Sequence, residues 1–246
     1  IDVGTNTEIS IITPRGIWIA SAASGPAFEG MATECGLGGE KGAINEVRID
    51  STTYQPTFSV IGDVRPRGLC GTGAVSVMAS LLDTDLFLPR GSLNRDIKTK
   101  WLSLDTNVAK YILAFGDTTA TGKDIFIAQT DLRMLQQSKA AIRGAIELLL
   151  KRSGYSAKDI TEILLTGVFG SDLKIEDVYR IGMFPVFENA TITQVRNSAV
   201  QGAGLLLTPK NRERIEKIVG EMNYIELSAE DEFKTFFLEF LPFPSK

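Results

Sequence analysis

Ile1-Asp2-Val3-Gly4-Thr5-Asn6-Thr7-Glu8-Ile9-Ser10 opens the chain, and it reads as a buried strand turning sharply around a carboxylate, a glycine and small polar side chains. That composition suits phosphate chemistry. Gly4 allows a tight turn and a close backbone approach to a ligand. Hydroxyl and amide groups at positions 5 to 7 can meet phosphate oxygens. Asp2 stands where it can hold a Mg²⁺ water, because Mg²⁺ prefers one or two carboxylates together with phosphate. Asp2 is therefore the candidate catalytic and metal-linked residue, and Gly4, Thr5 and Asn6 are the candidate phosphate contacts. An Asp-x-Gly-Thr hairpin with no nucleotide role uses the same residues, so the tetrapeptide alone leaves both readings open.

Working outward, the first residue is isoleucine with an apolar strand already under way, which leads us to expect a piece of a longer polypeptide. The 246 residues suffice for a sizeable core. A hydrophobic content of 43% with 23% charged residues describes an ordinary globular chain. There is no apolar run of the roughly eighteen residues that a membrane span needs, so no membrane partner and a cytoplasmic location are expected. A net charge of −4 without a basic stripe argues against a nucleic-acid partner. The chain has no histidine, which excludes Ser/His/Asp and Cys/His nucleophile sites and imidazole metal sites within it. Cys35 and Cys70, the only cysteines, lie too far apart in sequence for a C-x-x-C motif and read as reduced, buried thiols.

The rest of the chain interleaves short α and β patterns, which is the signature of an α/β fold. Segments near 1–13 and 16–21 form a hairpin around Thr13-Pro14-Arg15-Gly16. A glycine-rich loop over 23–30 leads to a short helix near Met31–Cys35, and strands follow near 43–50 and 56–62. Gly68-Leu69-Cys70-Gly71-Thr72-Gly73 opens a helix whose apolar residues Val75, Met78, Leu81 and Leu82 recur at helical spacing, its small start serving either anion binding or close packing. Strands near Tyr111–Phe115 and 125–127 precede a long helix with Thr130 as the expected N-cap and Gly154 as its stop. Next come a strand at 162–166, the loop Gly167-Val168-Phe169-Gly170 and a helix near 175–182, a strand–glycine loop–helix order that suits a nucleotide site. The tail reads as a small-residue helix over 197–207, a helix restarted at Thr208-Pro209, a strand at Tyr224–Leu227, and a final helix capped from Ser228 to Asp231. Phe233, Phe236, Phe237 and Phe240 on that last helix read as core.

Taken in order, nine blocks resemble one family: 1–9, 22–30, 42–44, 68–73, 129–133, 139–142, 166–170, 181–185 and 197–203. They look like the ATPase region of the reductive activators of corrinoid proteins. The resemblance implies a ribonuclease-H-like subdomain of the actin/hexokinase type, a mixed sheet flanked by helices. It implies ATP and Mg²⁺ as cofactors, a corrinoid (cobalamin-type) protein as partner, and ATP-dependent reduction of Co(II) to Co(I) as the activity. The electron would arrive from an iron–sulfur cluster on another part of the polypeptide. By the same resemblance, residues 1–246 match the second half of the ATPase, Asp2 is the Mg²⁺-linked carboxylate, and Gly167 and Gly170 lie at the adenosine loop. The helix from Asp131 would connect the subdomains. Cys70 matches a cluster ligand of the related dehydratase activators, but Gly-Leu-Cys-Gly-Thr-Gly follows the corrinoid activators; a homodimer is left open. Thr7, Val168 and Arg196 depart from the family pattern, so a docking or nucleotide-sensing module that has lost turnover is the competing expectation.

Overall fold

The computed structural model describes residues 1–30, 33–104, 108–167 and 169–245. Strands β1 (Asp2–Val3), β2 (Thr7–Thr13) and β3 (Gly16–Ala22) are followed by β4 (Ala43–Ile49), β5 (Pro56–Val60), β6 (Gly68–Leu69) and helix α1 (Gly71–Asp83). Short strands β7 (Phe87–Leu88), β8 (Ser92–Leu93) and β9 (Leu102–Ser103) come before β10 (Lys110–Ala114), β11 (Ile125–Ala128) and the long helix α2 (Gln129–Ser153). The last part holds β12 (Glu162–Leu165), α3 (Ile175–Arg180), β13 (Thr191–Gln194), α4 (Ser198–Leu205), α5 (Pro209–Gly220), β14 (Met222–Tyr224) and α6 (Asp231–Glu239).

The sheet that carries the opening decapeptide runs in the order β1-β2-β3-β14, with β1, β2 and β3 antiparallel and β14 parallel to β3. A parallel bridge between Asp2 and Thr166 joins β1 to the segment after β12, and β12 pairs in parallel with β13. Val3 N donates to Thr166 O at 2.9 Å and Thr166 N to Ile1 O at 2.8 Å, so the order continues from β1 into β12 and β13. This is the mixed sheet expected. The inward residues of β2, Thr7, Ile9 and Ile11, alternate with exposed Glu8, Ser10 and Ile12, as a sheet covered on one face requires.

Helix α2 packs against β2 and β3, and α6 packs on α2. Leu132, Leu135, Ile142, Ile146 and Leu149 are buried as the helical spacing predicted. The long helix starts earlier than expected: Ala128, not Thr130, is its N-cap, because the Asp131 carboxylate accepts the Ala128 N–H at 2.9 Å and does the capping from inside the first turn. Gly154 closes it in a left-handed conformation, as predicted. The Phe233, Phe236, Phe237 and Phe240 stripe is half-buried against α2, where Gly144 lets the helices approach closely enough that a Cβ there would lie 3.2 Å from Phe237 N.

Three other expectations change. Residues 33–35 form a bend and turn, while Met31 and Ala32 of the expected helix lie outside the described residues. The strand expected at Tyr224–Leu227 is Met222–Tyr224, set by parallel pairing with Ile17–Ile19, after which Glu226 accepts from Ser228 and turns the chain. Strand β13 was not foreseen: Thr-Ile-Thr-Gln is short and polar, and pairing with β12 defines it.

Candidate functional site

The turn Gly4–Asn6 joins β1 to β2 at one end of this sheet. Gly4 N donates to Asn6 O at 3.1 Å, which closes the turn. From beneath, the 23–30 loop holds it: Ser24 Oγ donates to Gly4 O at 2.9 Å, and Gly25 N donates to Thr5 O at 2.7 Å. With two of its carbonyls bound inward, the turn presents exposed Thr5 and Asn6 on its outer side. Thr7 does not crowd that side. It is fully buried, its hydroxyl 2.8 Å from Ser24 Oγ, so the departure at position 7 strengthens the bracing underneath.

Asp2 is half-buried at the bridge to Thr166. The next residue, Gly167, has φ +99°, and a Cβ there would lie 2.6 Å from Asp2 Oδ1 and 2.7 Å from Val3 N. Both the left-handed backbone and the approach of β1 demand glycine here. Gly170 begins a 3-10 turn over Gly170–Asp172, and a Cβ on it would lie 3.3 Å from Leu165 Cδ1 and 3.4 Å from Val3 Cγ2. Asp2, Gly4, Thr5, Asn6, Gly167 and Gly170 are thus gathered at one end of the β1–β12 junction. Val168, the second departure, lies outside the described residues.

Two contacts at this end were missed in the sequence. Thr166 Oγ1 and Ser198 Oγ are 2.7 Å apart, tying the Gly167 loop to the start of α4. Arg196 Nη2 donates to Asp172 Oδ1 at 2.6 Å in an exposed pair, linking the end of β13 to the turn after Gly170. The only signal for the first was the position of both hydroxyls beside glycine or asparagine at strand and helix ends.

These residues fit Mg²⁺ held jointly with phosphate better than a metal cage. The Asp2 carboxylate stands beside an exposed hydroxyl and amide, with Glu8 opposite it on the neighbouring strand, and no group of three or more His, Cys, Asp or Glu is placed to hold a metal among the described residues. They do not fit an iron–sulfur cluster. Cys70 is buried, its thiol donating to Ile44 O at 3.2 Å and 3.2 Å from Thr72 Oγ1. Burial pushes the Cys35 thiol above the usual range, the opposite of an activated thiolate. The largest perturbation of a basic group is also away from the turn: burial, followed by the nearby Arg143 charge, lowers Lys139 to about 7.

The family described as "C-terminal domain of RACo the ASKHA domain" matches residues 1–246. The chain belongs to that family. Its mixed α/β fold is accordingly the actin/hexokinase-like one. The "Corrinoid activation enzyme RamQ" of Eubacterium limosum is 34% identical over 242 residues, covering 95% of this chain and 40% of the relative. The "[Co(II) methylated amine-specific corrinoid protein] reductase" of Methanosarcina barkeri is 25% identical, covering 96% of this chain and 44% of the relative. Among solved structures, a "Reductive activator for corrinoid,iron-sulfur protein" superposes with a TM-score of 0.90 at 28% identity, over 99% of this chain and 39% of that one. The chain therefore spans about two fifths of the length of the proteins it matches.

Proposed function

We propose that this chain is the ATP-binding part of a cytoplasmic reductive activator of corrinoid proteins, and that it forms the second half of the ATPase within a longer polypeptide. The observation that carries the reading is the meeting of the Gly4–Asn6 turn and the Gly167 loop around the Asp2 carboxylate, in a domain of this family. In the roles we assign, Asp2 holds the Mg²⁺ water, while Gly4, Thr5 and Asn6 receive phosphate oxygens. Gly167 and Gly170 offer backbone without side chains to the adenosine. Bound Mg-ATP would supply hydrolysis energy, with catalysis resting mostly on positioning and charge neutralisation. Helix α2, packed under β2 and β3, is placed to carry motion of this end of the sheet to α6. A nucleotide changes affinity for a corrinoid partner only through its different affinity for the two arrangements.

The test uses the full-length polypeptide, a low-potential electron donor and a Co(II) corrinoid protein, with corrinoid absorbance followed during the reaction. Each Co(II) centre takes up one electron from the donor to become Co(I), and omission of ATP should stop this. Asp2→Asn should abolish Mg²⁺-dependent hydrolysis while leaving the melting temperature nearly unchanged. Full-rate reduction without ATP, or an Asp2→Asn protein that unfolds yet keeps its activity per folded molecule, overturns the assignment. The chain of 246 residues by itself is expected to bind Mg-ATP weakly and not to turn it over.

One observation favours the reading as a non-hydrolysing docking module. The exposed Arg196–Asp172 pair links to the turn that begins at Gly170, the residue to which we assign the adenosine. Arg196→Gly should then raise nucleotide affinity in calorimetric titration, and unchanged affinity removes this argument.

A further inference from the structure

A cavity of about 410 Å³ opens where the β7–β8 hairpin meets the start of α2, and it shares no lining residue with the Gly4–Asn6 turn. Its lining includes Leu93 of β8, Ala109 just before β10, Thr130 of α2, and two arginines, Arg95 and Arg133. Gln129 fixes the walls. Its side-chain oxygen accepts the Leu93 N–H at 2.7 Å, its side-chain nitrogen donates to Gly91 O at 2.9 Å, and its backbone N–H donates to Ala109 O at 2.8 Å. Three chain segments are therefore held around the opening before any ligand arrives. Gln129 also begins the block 129–133, to which the nucleotide reading gives no role.

The positive charges here are unanswered. Arg48, Arg67, Arg143, Arg152, Arg180 and Arg196 each pair with a carboxylate of the chain. Arg95 and Arg133 are exposed and pair with none among the described residues. Neither does Lys98, whose ammonium donates to Arg95 O at 3.2 Å and so adds its charge beside Arg95. Residues 90–110 hold five basic and two acidic residues, a positive stretch in a chain of net charge −4.

We propose that this cavity docks an acidic polypeptide segment of a partner protein. A glutamate or aspartate carboxylate of the partner sits between Arg95 and Arg133, whose planar forks match two carboxylate oxygens. Its methylene stem lies against Leu93 and Ala109, an apolar wall that a bare inorganic anion would leave unused. Lys98 and the positive surplus over 90–110 meet neighbouring acidic side chains, which a small molecule confined to the cavity would not supply. Complementary charge of this kind sets partner choice and speeds encounter. The inference stands apart from the nucleotide reading, since a domain that binds no ATP keeps the same cavity.

The test is fluorescence anisotropy of a fluorescein-labelled hexaglutamate peptide titrated with the full-length polypeptide at low ionic strength. The peptide should bind, and added salt should weaken binding. Arg95→Gln and Arg133→Gln should each weaken it about tenfold, the loss of one charge-assisted contact. Lys210→Gln, on the exposed face of α5, should leave it unchanged. No binding, or unchanged affinity in either arginine variant, overturns the proposal. Displacement of the peptide by glutarate at equal carboxylate concentration would assign the cavity to a small dicarboxylate, and displacement by inorganic phosphate would assign it to a phosphate ligand; either result overturns the proposal. A lower melting temperature of both arginine variants without peptide would show that the guanidinium groups already hold partners within the protein, and would overturn it too.

Discussion

Helices α1 and α4 begin alike and end up in opposite surroundings. Each starts after a loop at a strand end and is built from small residues, Gly-Thr-Gly-Ala-Val-Ser in α1 and Ser-Ala-Val-Gln-Gly-Ala-Gly in α4. Nearly all of α1 is buried, whereas α4 and the following α5 bury no residue. The glycines show why. The carbonyl oxygens of Phe28 and Ile44 occupy the space that Cβ atoms on Gly71 and Gly73 would need, while a Cβ on Gly202 or Gly204 would meet nothing within 4 Å. Small residues permit close approach, but they do not supply the neighbour. Phe28 also stacks on Phe169, ring centroids 5.3 Å apart, so the start of α1 is locked to the loop that carries Gly170. For this helix, close packing rather than anion binding accounts for the small start.

The strongest attempt to break the contrast is Gly71→Ala. A backbone carbonyl cannot swing aside as a side-chain tip can, so the cooperative urea transition should be lost, or its midpoint lowered by more than ~3 kcal/mol of stability. Normal unfolding by this variant would show that α1 is loosely held.

Helix α2 sharpens the comparison, because its burial is coupled to charge. Lys139 is buried and donates to Phe240 O and, at 2.6 Å, to Pro242 O, holding the segment after α6. Burial lowers its pKa from 10.5 to about 7. Between these values the unfolded chain keeps the proton that the folded chain has released. Stability should therefore rise with pH across that window, by at most ~1.4 kcal/mol per pH unit, with the gain complete above the unfolded value and lost as pH falls through the folded one. Urea titrations from pH 6.5 to 10 measure the slope, and Lys139→Met should flatten it. A slope that survives this substitution would remove Lys139 from the account.

The smallest effect is expected at Gly204→Ala. With open space around the position, helix propensity alone should stabilise this chain by ~0.5–1 kcal/mol in thermal unfolding. The same change in the longer polypeptide separates two situations: continued stabilisation means that α4 stays exposed, and destabilisation means that another part of the protein covers it.

Much of the candidate site was legible because its signals are local. Asp2 and the turn Gly4–Asn6 lie within five consecutive residues, and the strand–glycine loop at 162–170 likewise follows from a short stretch. What escaped was the bracing from elsewhere in the chain. Ser24 lies 20 residues from the Gly4 carbonyl it supports, and the Thr166–Ser198 contact spans 32. Thr7 was read as facing phosphate because it follows Thr5-Asn6, but strand alternation turns it to the buried side. The cap at Ala128 was missed for a related reason: alanine has no capping group, and Asp131 reaches back to satisfy its N–H.

The sequence by itself determined the α/β interleaving, the long helix with its glycine stop, and the turn around Gly4, since periodicity, caps and glycines act over a few residues. Only the tertiary structure decided that Gly167 lies against Asp2 and that α1 is buried while α4 is not. Those outcomes depend on which segments become neighbours after the chain has crossed the sheet, and no local pattern carries that information.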